Sequence, residues 1–325
     1  MKPFFAPLAL VIASVTLLMP TGANADEISV RAIGFLPKNH PVMAQAPVWV
    51  EQVNSALKGK FSIKYIGGPE VIPALQQAEA VGKGVIDIVM VPTAFYQSQL
   101  PEASAFSLSR KSSAEEREPG GLYDVMAKRH EALNMHYIGR VHYGNFYLWT
   151  KDKIPNLEGL KGVKLRTTAL YDRFMKRLGA IPVTVPETET YTALEGGTVN
   201  GMGWPVSGPR ERGWTKIVKN VIDLPFYSAS NVLILMNQEK WKALSPDVQA
   251  KLTEITVAFE PKMVKHFKDA ENVEWAELQK AGVSRIRFSD AENKKYIDAA
   301  YDVEWENLAT KMPDRVAELR RLTGN

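Results

Sequence analysis

The 325-residue chain contains no cysteine. That excludes a disulfide framework, a cysteine-based metal site and lipid attachment at an N-terminal cysteine. Histidine is scarce: five residues, at positions 40, 130, 136, 142 and 266, with no H-E-x-x-H and no pair at i, i+4. His136 and His142 share a face of a regular strand, but without acidic partners they read as structural or surface residues and not as metal ligands. The nucleophile elbow G-x-S-x-G is missing, since Val206-Ser207-Gly208 lacks the leading glycine, and there is neither a P-loop nor a G-x-G-x-x-G. The common signatures of serine hydrolases, nucleotide hydrolases and dinucleotide enzymes are therefore absent.

Long apolar runs are confined to the start of the chain. Lys2 supplies a positive n-region, residues 8–19 an apolar h-region, and Ala23-Asn24-Ala25 a small-x-small cleavage signal. This pattern predicts an export signal cleaved after Ala25, too short for a spanning helix. Its removal leaves 300 residues, a length that favours two domains. A soluble, untethered, exported chain is expected in the periplasm. The net charge of +4 falls to +3 without Lys2, and the pI is about 9.0. Basic and acidic residues alternate, as in KHFKDAENVEWAELQK, which predicts a solvated helix face and no nucleic-acid partner. The mild positive balance favours anionic ligands.

What is present has α/β periodicity. Strands are predicted at 27–33, 61–66 and 85–91, separated by helices at 42–57 and 72–81, the latter stopped by Gly82. The β-α-β-α-β order implies a parallel sheet with crossover helices. Residues 109–121 read as an exposed loop around a short helix, with the run Glu115-Glu116-Arg117-Glu118 solvated. A helix follows at 122–133. The aromatic stretch 135–150 reads as one strand long enough to pass from one domain to another. Strands are also expected at 163–167, 182–186, 199–204, 217–223, 231–236 and 284–288. Ser245 should cap a helix opened by Pro246 and Asp247, kinked at Pro261 and reaching Gly282. Ser289-Asp290-Ala291-Glu292 opens a further helix. The division expected is lobe I from 26–140 and 231–270, lobe II from 141–230 and 271–295, and a helical tail at 296–325.

The segment 159–205 holds the residues that point to a ligand. In open α/β sheets ligands collect beyond the carboxyl ends of strands. Arg166 stands there, on a strand flanked by Val163 and Leu165. It is open to two readings: an edge-strand arginine in a surface ion pair, or a planar donor fork for a carboxylate, a geometry lysine cannot match. Trp204, extended before Pro205, fits core packing or ligand contact. Phe95 and Tyr96, after the third strand, carry the same two readings, and Glu187 is solvated unless it faces a cleft.

The run LKGVKLRTTALYDRFMKRLGAIPVTVPETETYTALEGGTVNG resembles the core motif of the extracytoplasmic solute receptors of TRAP transporters, which carry LKG-x-K-[IL]-R, LGA-x-P and P-x-x-E-x-Y-x-AL-x-x-G-x-[VI]-[DN]-G. LPKNHP, GKGVIDIVMV and WKALSPDVQ extend the resemblance over the mature chain. It implies two hinged α/β lobes, the periplasmic binding protein fold, with hinge-crossing strands and a long bracing helix. The ligand would be a small organic acid, and the partners the small and large integral membrane subunits of a transporter. The resemblance places the carboxylate-pairing arginine at Arg166. Where many relatives have Asn-Pro this chain has Trp204-Pro205. An arginine of sialate-type receptors corresponds to Asn145, and Glu187 replaces a residue often aromatic. These departures turn the expectation from sialate and C4-dicarboxylates to one carboxylate on an apolar or modestly hydroxylated body. Trp204, Phe95, Tyr96, Trp214 and Tyr227 would surround it, and Glu187 or Asn145 would bond a hydroxyl. A monomer without cofactor or metal is expected. An exported enzyme using Glu187 and Glu189, or a chemoreceptor-coupled binding protein of the same fold, are the alternatives.

Overall fold

The computed structural model describes Met1, residues 27–227 and residues 231–325; the export signal and its cleavage site lie outside the described residues. Two sheets organise the chain. The first has the order β2-β1-β3-β10-β4. Its parallel core is β1 (Ile28–Gly34), β2 (Phe61–Gly67) and β3 (Ile88–Pro92), connected by α1 (Gln45–Ala56) and α2 (Gln77–Gly82). Its fourth and fifth strands, β4 (Met135–His142) and β10 (Val232–Asn237), are antiparallel to each other. Every residue of β10 is buried, which is why VLILMN shows no polar alternation: it lies between β3 and β4 with both faces covered.

The second sheet has the order β11-β9-β5-β8-β6-β7, from β5 (Tyr147–Thr150), β6 (Lys164–Thr167), β7 (Ile181–Thr184), β8 (Gly201–Trp204), β9 (Asn220–Ile222) and β11 (Ser284–Ile286). β6 runs parallel to both β7 and β8, so the carboxyl ends of all three lie on one side. The stretch expected as one strand from 135 to 150 is broken between β4 and β5. Residues 143–146 cross from sheet to sheet there. Phe146 bridges to Tyr227 on the returning crossover, with Phe146 N donating to Tyr227 O at 3.1 Å and Phe226 N to Phe146 O at 2.9 Å.

α3 (Pro246–Lys280) runs unbroken for 35 residues through Pro261. Leu252, Phe259 and Met263 join the core against the first sheet, while Leu278 joins that of the second, so one helix braces both. Ser245 occupies the cap position but makes no capping bond; its hydroxyl donates to Asp247 Oδ1 instead, at 2.6 Å. α4 (Asp290–Lys311) opens with the capping box anticipated at Ser289 and Glu292. Tyr296, Tyr301 and Trp305 on α4 enter a hydrophobic cluster that also holds Val89 of the first sheet and Leu165 of the second. α5 (Pro313–Thr323) then returns to the first lobe, where Arg110 N donates to Thr323 O at 2.8 Å.

The acidic run at 115–118 departs from expectation. Glu116 is 1% exposed and ion-paired with Arg140 of β4. Arg117 forks onto both oxygens of buried Glu260 in α3, at 2.8 and 2.9 Å. The partners stand up to 143 positions away, beyond the reach of any local pattern.

Candidate ligand site between the lobes

The loops after β1 and β3 face those after β7 and β6. His40 Nε2 lies 3.8 Å from Glu187 Oε1, too long for a hydrogen bond, and Gln97 Nε2 donates to Ala169 O at 3.4 Å. The carboxyl ends of both parallel strand sets thus meet at one cleft, the position where open α/β folds hold ligands.

Arg166 rises from β6 into this region with only 3% of its surface exposed. Its Nε donates to Val185 O and its Nη1 to Tyr171 Oη, both at 2.9 Å; the Tyr171 hydroxyl in turn donates to Gly203 O at 2.8 Å. These contacts fix the guanidinium plane yet leave Nη2 without a hydrogen bond among the described residues. No carboxylate oxygen lies within 4.0 Å of Arg166 among the described residues. Other buried or half-buried arginines are paired: Arg117 with Glu260, Arg140 with Glu116, Arg173 with Glu304. A fixed, desolvated and uncompensated cation is a site built for an anion.

Trp204 ends β8 under that guanidinium, whose carbon lies 5.1 Å from the ring centroid. Its carbonyl accepts from Trp149 Nε1 at 3.0 Å, and Trp214 packs edge-on at 5.0 Å and 85°. Trp214 therefore forms a layer behind Trp204. On the other wall Phe95 stands edge-on to Phe35 at 5.6 Å, giving the first lobe an apolar face.

The remaining expected residues have other partners. Tyr96 is fully buried in the first lobe's core, its hydroxyl 2.9 Å from His130 Nε2, so its place is in packing and not at the cleft. Tyr227 is buried on the crossover, with its hydroxyl donating to Ala300 O at 3.3 Å. Asn145 Nδ2 donates to both oxygens of Glu271 in α3, at 3.3 and 3.1 Å, tying the crossover to the brace. Glu187 accepts from Arg212 Nε, and His40 and Arg212 together hold its carboxyl down at about 2 against the opposing effect of partial burial. It is a permanent anion joining the two sides of the cleft, already occupied by a cation.

Sequence reasoning missed His40, Tyr171 and Arg212 as members of this site. The motif LPKNHP, directly after β1, was the available signal for His40. Tyr171 and Arg212 matter only through contacts that folding creates. Among the described residues no cluster of three or more acidic or imidazole side chains is placed to hold a metal ion, and no helix is long and apolar enough to cross a membrane.

Two α/β sheets joined by crossover strands, a bracing helix and a cleft lined by an unpaired arginine define a two-lobed solute-binding protein. Residues 34–311 match the family described as bacterial extracellular solute-binding protein, family 7 (DctP), and the chain belongs to that family, which is periplasmic. A monocarboxylate 2-oxoacid-binding periplasmic protein of Nostoc sp. is 23% identical over 94% of this chain and 86% of that protein. Crystal structures of TRAP periplasmic solute-binding proteins share the fold. That from Desulfovibrio salexigens, with bound orotic acid, has a TM-score of 0.80 at 18% identity, covering 91% of this chain and 97% of the other. That from Pseudoalteromonas atlantica, with bound sodium and pyruvate, has a TM-score of 0.79 at 20% identity, covering 92% and 93%.

Proposed function

We propose that this protein captures a small organic acid in the periplasm and delivers it to the small and large membrane subunits of a TRAP transporter. The observation that carries the reading is Arg166: buried, held in plane by Val185 and Tyr171, and without a carboxylate partner among the described residues. A ligand carboxylate completes the pair through two parallel charge-assisted bonds. Phe95 and Trp204 enclose the ligand's body, and the lobes, 26–140 with 231–270 and 141–230 with 271–295, close on it about the crossovers. Binding needs no covalent step, so the chain acts as a receptor and not as an enzyme. It works as a monomer after cleavage behind Ala25. Membership of a solute-binding family and the acids named for its relatives support this reading.

The test is a thermal-shift screen of the purified mature chain across monocarboxylates, hydroxy acids and oxo acids. One or a few acids should raise the melting temperature. Arg166→Ala should abolish that rise while leaving a cooperative unfolding transition. Retention of wild-type affinity in this variant refutes the carboxylate assignment.

A further inference from the structure

Across the cleft, His40 and Glu187 face each other over a bond that is not made. His40 stands in the loop after β1, and its side chain is 6% exposed. Its backbone is tied on both sides: His40 N donates to Pro37 O at 2.9 Å, and its carbonyl accepts from Met43 N at 2.8 Å. Its Nδ1 accepts from Val42 N at 3.1 Å, which puts the proton of the neutral ring on Nε2. That Nε2 is buried and has no hydrogen-bond partner among the described residues. A buried donor without an acceptor is destabilising.

Glu187 Oε1 lies 3.8 Å from it, on the other lobe. Arg212 Nε already donates to this oxygen, which keeps a second lone pair. Arg212 is held in turn: its N donates to Gly208 O at 3.1 Å, and its guanidinium carbon lies 5.6 Å from the Trp214 ring centroid. Each group is thus anchored within its own lobe, and the gap between them is a distance between lobes. A normal bond needs the lobes about 1 Å closer. A second contact across the cleft, Gln97 Nε2 to Ala169 O at 3.4 Å, is long in the same sense. Two separate contacts therefore stop just short of completion.

We infer that His40 and Glu187 are the two halves of a latch, whose bond forms when the lobes tighten over a bound acid and sets how long that acid is held. The inference rests on the reading of the chain as a receptor that closes on an acid. The acceptor is an anion fixed by Arg212, so the bond is charge-assisted and outweighs a neutral one. Arg212 acts through Glu187 and is a positioning residue. The latch spends its donor and its acceptor on protein atoms. It therefore slows release of every acid the cleft accepts by the same factor and leaves selection to the residues that touch the ligand.

The probes are pyruvate, lactate, 2-oxoisovalerate and orotate, added to the mature chain. The absence of cysteine allows dyes at Leu75→Cys and Lys176→Cys, exposed sites on the two lobes, and stopped-flow energy transfer between them reads closure and release. His40→Asn keeps an oxygen for Val42 N but cannot reach Glu187. It should raise koff about tenfold for each acid that binds, with kon within about threefold, and shift the bound state toward open distances. His40→Gln, whose amide nitrogen can take the place of Nε2, should return koff to within about threefold of wild type. Unchanged koff and closure in His40→Asn overturn the latch and leave the acid-binding reading intact. Equal effects of Asn and Gln make His40 a structural member of its loop and also overturn it. If none of the four acids binds the wild type, the organic-acid reading falls and the latch with it. A measurement on the wild type alone guards against a variant that fails to fold. With 15N-labelled histidine, one of the five imidazole N–H protons should move downfield on addition of a binding acid, and no such movement overturns the latch.

Discussion

Arg166→Met separates a binding arginine from a structural one. The substitution keeps the length of the side chain and deletes its charge. It removes the bonds to Val185 O and Tyr171 Oη and the stacking on Trp204. Two charge-assisted bonds at about 1.5 kcal/mol each and a cation–π contact of about 1 kcal/mol are lost. Against them stands a penalty of several kcal/mol for keeping a cation in the interior without a counter-ion. These contributions cancel to within about 2 kcal/mol, so the ligand-free variant should melt within about 5 °C of wild type. Arg173→Met is the control. Arg173 bonds both oxygens of Glu304, which is 4% exposed, and removing it strands that carboxylate at a cost of about 3–5 kcal/mol, roughly 10 °C. Binding should respond in the reverse order. Arg166→Met loses a desolvated carboxylate pair, about 2–5 kcal/mol or some 30- to 5000-fold in Kd, while Arg173→Met, below its melting temperature, keeps its ligand. Scanning calorimetry without ligand and titration with the screened acid read the two effects. If Arg166→Met melts as low as Arg173→Met, the arginine is a structural member of the second lobe and the reasoning fails.

Gly139→Ala tests the packing of the bracing helix. A β-carbon there would stand 2.3 Å from Thr256 Cγ2 and 2.7 Å from Glu260 Oε1, so the variant should lose about 1–3 kcal/mol in denaturant titration. His130 sets an acid limit on the first lobe. Burial pushes its imidazole from 6.5 down to about 4, with the Tyr96 hydroxyl on Nε2 and Met126 O 2.7 Å from Nδ1. The unfolded chain takes up this proton near pH 6.5 and the native chain only near pH 4. Stability is therefore full above 6.5 and falls through that window by on the order of 3 kcal/mol. Denaturation midpoints at pH 7 and 4.5 should converge in His130→Gln, apart from the parallel contribution of His136, also depressed to about 4 by burial.

Much of the architecture was legible because the dominant forces there are local and periodic. Trp49 and Val53 recur at helical spacing and are fully buried, VLILMN is apolar throughout and sits mid-sheet, and Ser289 with Glu292 forms the capping box its spacing announces. Arg166 could be singled out as an arginine near the end of a strand that also carries Val163 and Leu165, and the family motif gave it a partner class. Sequence could not separate Tyr96 from Phe95: adjacent aromatics have the same propensities, and only the fold turns one onto His130 and leaves the other half-buried at the cleft. Nor could it distinguish the paired glutamate at 116 from its solvated neighbour at 115, because the difference is made by Arg140 on a strand.

The chain's own order of residues thus determined that it folds into two α/β halves, that it carries an export signal pattern, and that an arginine stands at a strand end suited to an acid. Tertiary structure alone decided that this arginine has no counter-ion among the described residues. It also paired Glu187 with Arg212, bound Asn145 to the bracing helix and left the Trp204 indole nitrogen without a hydrogen-bond partner among the described residues. The physical reason is that pairing is a property of distance in space. A local pattern specifies what a side chain is able to bond, while the packing of segments far apart in the chain decides which of those bonds the protein makes for itself and which it leaves for a ligand.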